Sequence, residues 1–298
     1  MTKQDTMPKV ALMVIYNHRF DQNIPCVEAL YKEKFSHIFH IMPFYDGDRE
    51  NEIPVFESSF YFEGYVAQAY QHVKHMGFTH FFFVADDMVL NPIVNEKNLW
   101  EAIGLEQDEC LHSGRYGWNY LQTYGYWKWT FNALKYQVRQ KGVEVEKILP
   151  SAEEARRRFD FHHIPYSKVK LSTLFGHGFK RSCYTLLQMP FSRSFKYPLV
   201  AGYSDLFLIP AEIMPKFTTY CGAFAATRLF VEVAIPTALA LAADKIKFVC
   251  DTKLGYGAIW KQDDTAWLDQ MNYSLSKLLD EYPKDTLFLH PIKLSKWK

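Results

Sequence analysis

A run of seven apolar positions, Val10 to Tyr16, precedes the polar cluster Asn17, His18 and Arg19. That pattern predicts a strand buried on both faces and ending in a functional loop. Helical spacing follows over residues 24–35, with Ile24, Val27, Leu30 and Tyr31 on one face. Residues 38–44 predict a second strand and the acidic segment 45–51 a loop. Residues 62–76 predict a helix stopped by Gly77, and 81–85 a third, strongly apolar strand. The order β-α-β-α-β implies right-handed crossovers and a parallel sheet core, with ligands at the carboxyl ends of its strands.

The middle of the chain is rich in Tyr, Trp, His and Arg and reads as an insertion lying over the sheet. Residues 135–147 and 151–159 have helical spacing, and Ser151 with Glu154 forms a capping-box pattern. Beyond it, residues 205–209 predict a strand, 211–220 and 227–244 helices, 246–250 a strand, 265–279 a helix and 287–289 a last strand. The longest apolar stretch, 229–243, is too short to span a bilayer and carries Glu232 and Pro236, so it predicts a buried helix. Neither a repeat nor a linker interrupts this order. The expectation is one α/β domain over 1–298, a Rossmann-type mixed sheet flanked by helices. Residues 1–100 would form its first half, 101–198 an aromatic-rich insertion and 199–298 its closing half.

Composition narrows the partners. The 34 basic and 33 acidic residues leave a formal charge of +1, which removes the broad electrostatic case for nucleic acid. The five cysteines are scattered and never form a CxxC pair, which argues against a zinc or disulfide framework and for a reducing, cytoplasmic setting. Residues 1–9 are polar, so no secretory signal is expected. Peripheral association with the inner face of a membrane stays open, because a small surface patch suffices for it. Aromatic residues make up 17% of the chain, most of them needed for the core, with some left over as platforms for sugar rings.

Candidate chemistry begins where the third predicted strand ends, at Asp86 and Asp87. Two adjacent carboxylates at the end of a buried strand are costly unless hydrated, paired or bound to a cation. Mg²⁺ or Mn²⁺, which prefer oxygen ligands, are the economical explanation. His290 leaves the last predicted strand three residues before Lys293, able to complete a metal site and to place a cation near a diphosphate. Glu232 lies inside an apolar helix, where a raised pKa would suit a general base, although an ion pair with Arg228 one turn earlier is the structural alternative. Asp205 is the second candidate base, with turn duty as its ordinary role. Asp46 and Asp48 follow the second strand in ordinary turn chemistry. His162, His163, His177, Arg181 and the rings of Tyr116, Trp118, Tyr120, Tyr124, Tyr126, Trp127 and Trp129 are weaker candidates for a sugar site.

The ordering of these residues resembles the GT-A glycosyltransferases. That resemblance implies a nucleotide-binding first strand with Tyr16, Asn17 and Arg19, and a nucleobase contact at Asp46. It places Asp86 and Asp87 at the DxD motif, although the frame Ala85-Asp86-Asp87 departs from a strict DxD. By family pattern Asp87 would contact Mn²⁺ or Mg²⁺, Asp86 the ribose or donor sugar, His290 the metal, and Arg19 or Lys293 the phosphates. The implied activity is transfer from a nucleotide-sugar, a UDP-sugar by expectation, to a glycan or glycolipid hydroxyl in surface polysaccharide synthesis. Glu232, or else Asp205, would be the base of an inverting displacement. Retention, nucleotidyl transfer and non-catalytic carbohydrate binding are the alternatives. The second would favour a glycine-rich phosphate loop, which Tyr16-Asn17-His18-Arg19 lacks, and the third would need no acidic pair.

Overall fold

The continuous apolar runs become the inner strands of one mixed sheet with both faces covered. In the computed structural model, which describes residues 8–123, 127–139, 142, 144–175, 180, 183 and 193–298, the strands are β1 (Val10–Ile15), β2 (His37–Pro43), β3 (Glu52–Val55), β4 (His80–Ala85), β5 (Val89–Leu90), β6 (Cys110–His112), β7 (Leu206–Pro210), β8 (Ile246–Phe248) and β9 (Phe288–Leu289). Seven of them form one sheet in the order β3-β2-β1-β4-β7-β6-β8, and β5 pairs with β9 in a separate ribbon. The first four are mutually parallel, whereas β7 runs antiparallel to both β4 and β6. Alternate residues divide between two cores. Ala11, Met13, Ile15, Phe81, Phe83, Phe207 and Ile209 face one side, and Val10, Leu12, Val14, Phe82, Val84, Leu206 and Leu208 the other.

Three helices, Glu63–Val73, Met214–Ala226 and Val231–Ala242, cover the first face, and Ile24–Tyr31, Leu99–Ile103 and Leu275–Asp280 cover the second. Stacking of Phe83 on Phe207, at 4.6 Å between ring centroids, ties β4 to its antiparallel neighbour. Each such fully buried side chain contributes about 1.5–3 kcal/mol by leaving water. Helix Val231–Ala242 is buried as its composition predicts, and among the described residues no helix is long and apolar enough to cross a membrane.

The structure departs from the pattern in five places. β3 lies in a stretch for which the residue pattern predicts no element; as an edge strand pairing only with β2, it tolerates the donor that Pro54 lacks. β5 and β6 are two and three residues long, too short to show a period. β6 also inserts between β7 and β8, so the first residues assigned to an overlying insertion belong to the sheet itself. The helix expected over 135–147 instead occupies Trp127–Lys135, where Trp129, Phe131, Ala133 and Leu134 are buried. The helix expected over 265–279 splits into Gln262–Asp269 and Leu275–Asp280 because Asn272 and Tyr273 adopt left-handed backbone, and Ser274 caps the second piece. The capping box at helix Ala152–Phe161 forms as expected, with Ser151 N–H donating to Glu154 at 2.8 Å and Glu154 N–H to Ser151 Oγ at 3.2 Å.

At the start of helix Glu63–Val73, Glu63 is fully buried with neither carboxylate oxygen hydrogen-bonded. Burial raises its pKa well above the ordinary value. A carboxyl raised in the folded state contributes stability that is complete below its unfolded pKa and is lost as pH climbs towards the folded one. Glu63→Gln is therefore expected to melt a few degrees above the parent at pH 8, with the gap closing near pH 4; thermal melts across that interval check it.

Candidate functional site

Neighbouring parallel strands β1 and β4 end at the same edge of the sheet, and the chain reverses its direction of winding between them. Asp86 N–H donates to Ile15 O at 2.9 Å, so the acidic pair follows the edge of β1. Because β7 is antiparallel, its beginning lies at this edge too: Ala85 N–H donates to Asp205 O at 3.0 Å. Asp86 is buried and accepts a 2.8 Å hydrogen bond from Asn23 Nδ2. Burial, then the charge of Asp87, push its pKa up to about 7, against the opposing Asn23 contact.

His290 arrives from the other end of the chain. β9 pairs antiparallel with β5, and residues 255–259 run alongside β9 through Leu287 N–H to Gly255 O (2.8 Å), His290 N–H to Gly257 O (3.1 Å) and Ile259 N–H to His290 O (2.7 Å). Ile292 N–H then donates to Asp87 O at 2.6 Å, and Asn91 Nδ2 to Thr286 O at 2.8 Å, fastening this ribbon to the turn after β4. The result places His290 Nε2 3.0 Å from Asp87 Oδ1 and His290 Nδ1 3.9 Å from Asp205 Oδ2. Burial opposes the charged imidazole, but the Asp87 contact and the charges of Asp205, Asp87 and Asp86 outweigh it and raise the His290 pKa. The Asp205 carboxyl is also raised, by burial among its neighbours, although its tip opens into a cavity.

That cavity, of about 360 Å³, is lined by Trp129, Tyr203, Asp205, Glu232, Trp260 and His290. Both candidate bases and the candidate metal-ligating histidine thus meet in one space. Trp129 Nε1–H donates to Glu232 Oε2 and fixes the carboxylate on the cavity wall. Arg228 is not its partner: the guanidinium pairs with Glu57 at 2.8 Å and covers Tyr61, because its left-handed backbone turns it away from the helix that follows. The structural alternative for Glu232 is thereby replaced by an indole contact.

The remaining candidates divide. Arg19 Nη1 bonds Asp46 at 2.5 Å and its guanidinium covers Tyr45 at 5.3 Å, so the first and second strand loops meet in an exposed charged cluster with Asp21. Asn17 and Lys293 are exposed, the latter directly after Ile292. Tyr16 points into the fold. Its hydroxyl contacts His40 Nδ1 at 2.9 Å, while His40 Nε2 contacts Glu28 at 2.9 Å. The carboxylate can only accept, so Nε2 carries the proton and Nδ1 accepts from Tyr16. His162 lies 2.9 Å from Ala243 O, and Trp118 packs on Phe248. Tyr124, Tyr126, His177 and Arg181 lie outside the described residues, as does the side chain of Trp127. Trp260 escaped the sequence analysis; its only signal was a tryptophan within the glycine-spaced segment Gly255-Tyr256-Gly257 onwards.

A divalent cation fits part of this arrangement. Asp87 Oδ1 is buried, and no well-aligned hydrogen bond reaches it. With His290 it supplies one oxygen and one nitrogen donor. Among the described residues no group of three or more His, Cys, Asp or Glu side chains could hold an ion. The fit is therefore to a cation completed by ligand oxygens and water, the habit of Mg²⁺, rather than to an all-protein cage.

No protein-family model matches the chain, and no curated protein matches it. Among solved structures it is similar to the mannosyltransferase Ktr4p from S. cerevisiae in complex with GDP, at 9% identity and a TM-score of 0.39 over 83% of this chain and 70% of that one. It is also similar to core-mannan synthase A from Aspergillus fumigatus in its Mn/GDP form, at 10% identity and a TM-score of 0.38 over 85% and 75%. Likenesses this distant leave function to be argued from the site.

Gly257 is the position on which the ribbon depends. A Cβ there would stand 1.7 Å from Phe288 O, a backbone atom that cannot step aside without moving β9. Gly257→Ala is expected to cost about 1–3 kcal/mol by displacing the ribbon that carries His290, read as a lowered melting temperature. Gly222→Ala, where a Cβ meets only Ala67 at an ordinary 3.5 Å, should be neutral or stabilising in the same assay.

Proposed function

We propose that this protein is a GT-A-type glycosyltransferase that moves a sugar from a nucleoside diphosphate donor to a hydroxyl of a glycan or glycolipid. The observation that carries this proposal is the convergence of His290, paired with Asp87 at 3.0 Å, with two further carboxylates, Asp205 and Glu232, on one small aromatic-walled cavity. An Mn²⁺ or Mg²⁺ ion held by Asp87 and His290 would neutralise the diphosphate as it leaves. Arg19 and Lys293, both at the same edge, bring positive charge to the phosphates, and Asp86, fixed by Asn23, orients donor hydroxyls. Asp46, held by Arg19 beside Tyr45, faces the nucleobase.

In a single displacement with inversion, the acceptor hydroxyl enters the cavity and gives its proton to Glu232. Its oxygen bonds to the anomeric carbon as the bond from that carbon to the diphosphate breaks. The leaving nucleoside diphosphate takes the electron pair. Trp129 holds Glu232 in one orientation, so the base is ready before the acceptor arrives. Asp205, next to His290, is the second base candidate. UDP is the nucleotide expected from the sequence, and GDP, present in the solved structures named above, is the one to test beside it.

Calorimetry with UDP and with GDP, each with Mn²⁺ or with EDTA, checks the donor side. One of the two is expected to bind at least about 10-fold more tightly with the metal, and Asp87→Asn to lose that gain. Equal affinity in EDTA for both nucleotides would exclude the metal-bridged site. On the acceptor side, Glu232→Gln should lower turnover by about 10²- to 10⁴-fold while nucleotide affinity is retained. Full turnover in the folded variant would transfer the role to Asp205.

A further inference from the structure

The cavity has a composition that its proposed chemistry does not by itself require. Deprotonating a hydroxyl needs a carboxylate; it does not need an aromatic wall. Yet Tyr203 lies 5.2 Å from Trp129 and 4.9 Å from Trp260 between ring centroids, so three rings run in series from the half-buried Glu232 carboxylate to the surface. Trp129 is 4% exposed, whereas Trp260 is 46% exposed and forms the outer end. Trp260 is not an accident of a loose loop. It follows Ile259, whose N–H is bonded to His290 O, on the segment whose close approach to β9 requires Gly257. The ribbon that sets His290 therefore sets Trp260 as well.

Volume limits what enters. About 360 Å³ is at the small end of the roughly 300–1,000 Å³ usual for ligand cavities, room for one or two sugar rings but not for a long chain. A pyranose presents hydroxyls at its rim and C–H groups on its faces. Carboxylates with an aromatic wall match both: Asp205 and Glu232 accept from hydroxyls, and the inner rings, Trp129 and Tyr203, cover the C–H faces. Of the three rings, Trp260 is the one with an exposed face open to a unit joined to that sugar.

We infer that the acceptor is a saccharide of at least two units, whose terminal sugar enters the cavity between Glu232 and Tyr203 and whose second sugar stacks on Trp260. Calling this saccharide the acceptor rests on the transfer reaction proposed above; its binding does not. The sugar in the cavity is held by hydroxyl contacts to the carboxylates, and the second unit adds affinity only through the indole face. An acceptor recognised instead through a lipid or a peptide would gain nothing from that second sugar.

The test is binding without turnover. Methyl α- and β-glycosides of glucose, galactose and mannose, and disaccharides of the same sugars, are titrated by calorimetry against the full chain and against Trp260→Ala and Trp260→Tyr, with melting curves to confirm folding. At least one disaccharide is expected to bind the parent about 10-fold more tightly than its monosaccharide glycoside, a factor equal to about 1.4 kcal/mol. Trp260→Ala should erase that gain with little effect on the monosaccharide, and Trp260→Tyr should restore most of it. A gain that survives in Trp260→Ala overturns the inference, as does a panel in which no disaccharide exceeds its monosaccharide. If the gain depends on Trp260 but neither UDP nor GDP binds with Mn²⁺, the saccharide site stands and the transferase proposal alone falls.

Discussion

Everything at the site depends on a strand ribbon closing back on the turn that follows β4. Ile292 N–H to Asp87 O and Asn91 Nδ2 to Thr286 O are the fastenings, and both join the last part of the chain to a turn formed in its first third. Without them His290 would have no fixed relation to Asp87, and the segment carrying Trp260 would have no strand to run along. The close approach at Gly257 is what lets three short extended segments, none able to form a stable sheet alone, pack as one unit over the second core.

The electrostatics of the site follow from that closure. Asp86, Asp87 and Asp205 would repel one another in a poorly hydrated edge, and two of them have raised pKa values from burial. His290 compensates in part, its own pKa raised because three carboxylates outweigh its burial. Such an excess of acid over base at the carboxyl edge of a parallel sheet suits a cation that arrives with its ligand. Glu232 is different. It lies on the helix that covers the opposite face of the sheet, is steadied by an uncharged indole, and meets the other acids only across the cavity. Separation of Glu232 from Asp86 and Asp87 is what the proposed displacement between a diphosphate and an acceptor would use.

Much of this was legible in the residue order. Strands β1, β2, β4 and β7 are runs whose alternate residues both had to be apolar, and no loop or surface helix carries such runs. The acidic pair was conspicuous because it ends one of them, and Ser151 with Glu154 announced a helix start. The pairing of Arg228 with Glu57 rather than Glu232 was not legible, because helical spacing brings Arg228 and Glu232 together only if the helix continues through Arg228, whose left-handed backbone interrupts it. Tyr16 is a similar case: it completes a run that points towards a loop, but its hydroxyl is satisfied inside by His40.

Local sequence determined which segments would be buried, where the parallel half of the sheet would run, and that Asp86, Asp87 and His290 would each leave a strand end. Only the tertiary structure decided that these strand ends share one edge, that Glu232 looks into the same cavity as His290, and that Trp129, Tyr203 and Trp260 wall it. The physical reason is one of range. Hydrophobic period and caps act over a few residues, and a single chain displays them directly. The meeting of Asp87 with His290, or of Trp129 with Glu232, depends on β-ladders and helix packing between segments far apart in the chain, for which no spacing along the sequence stands as a sign.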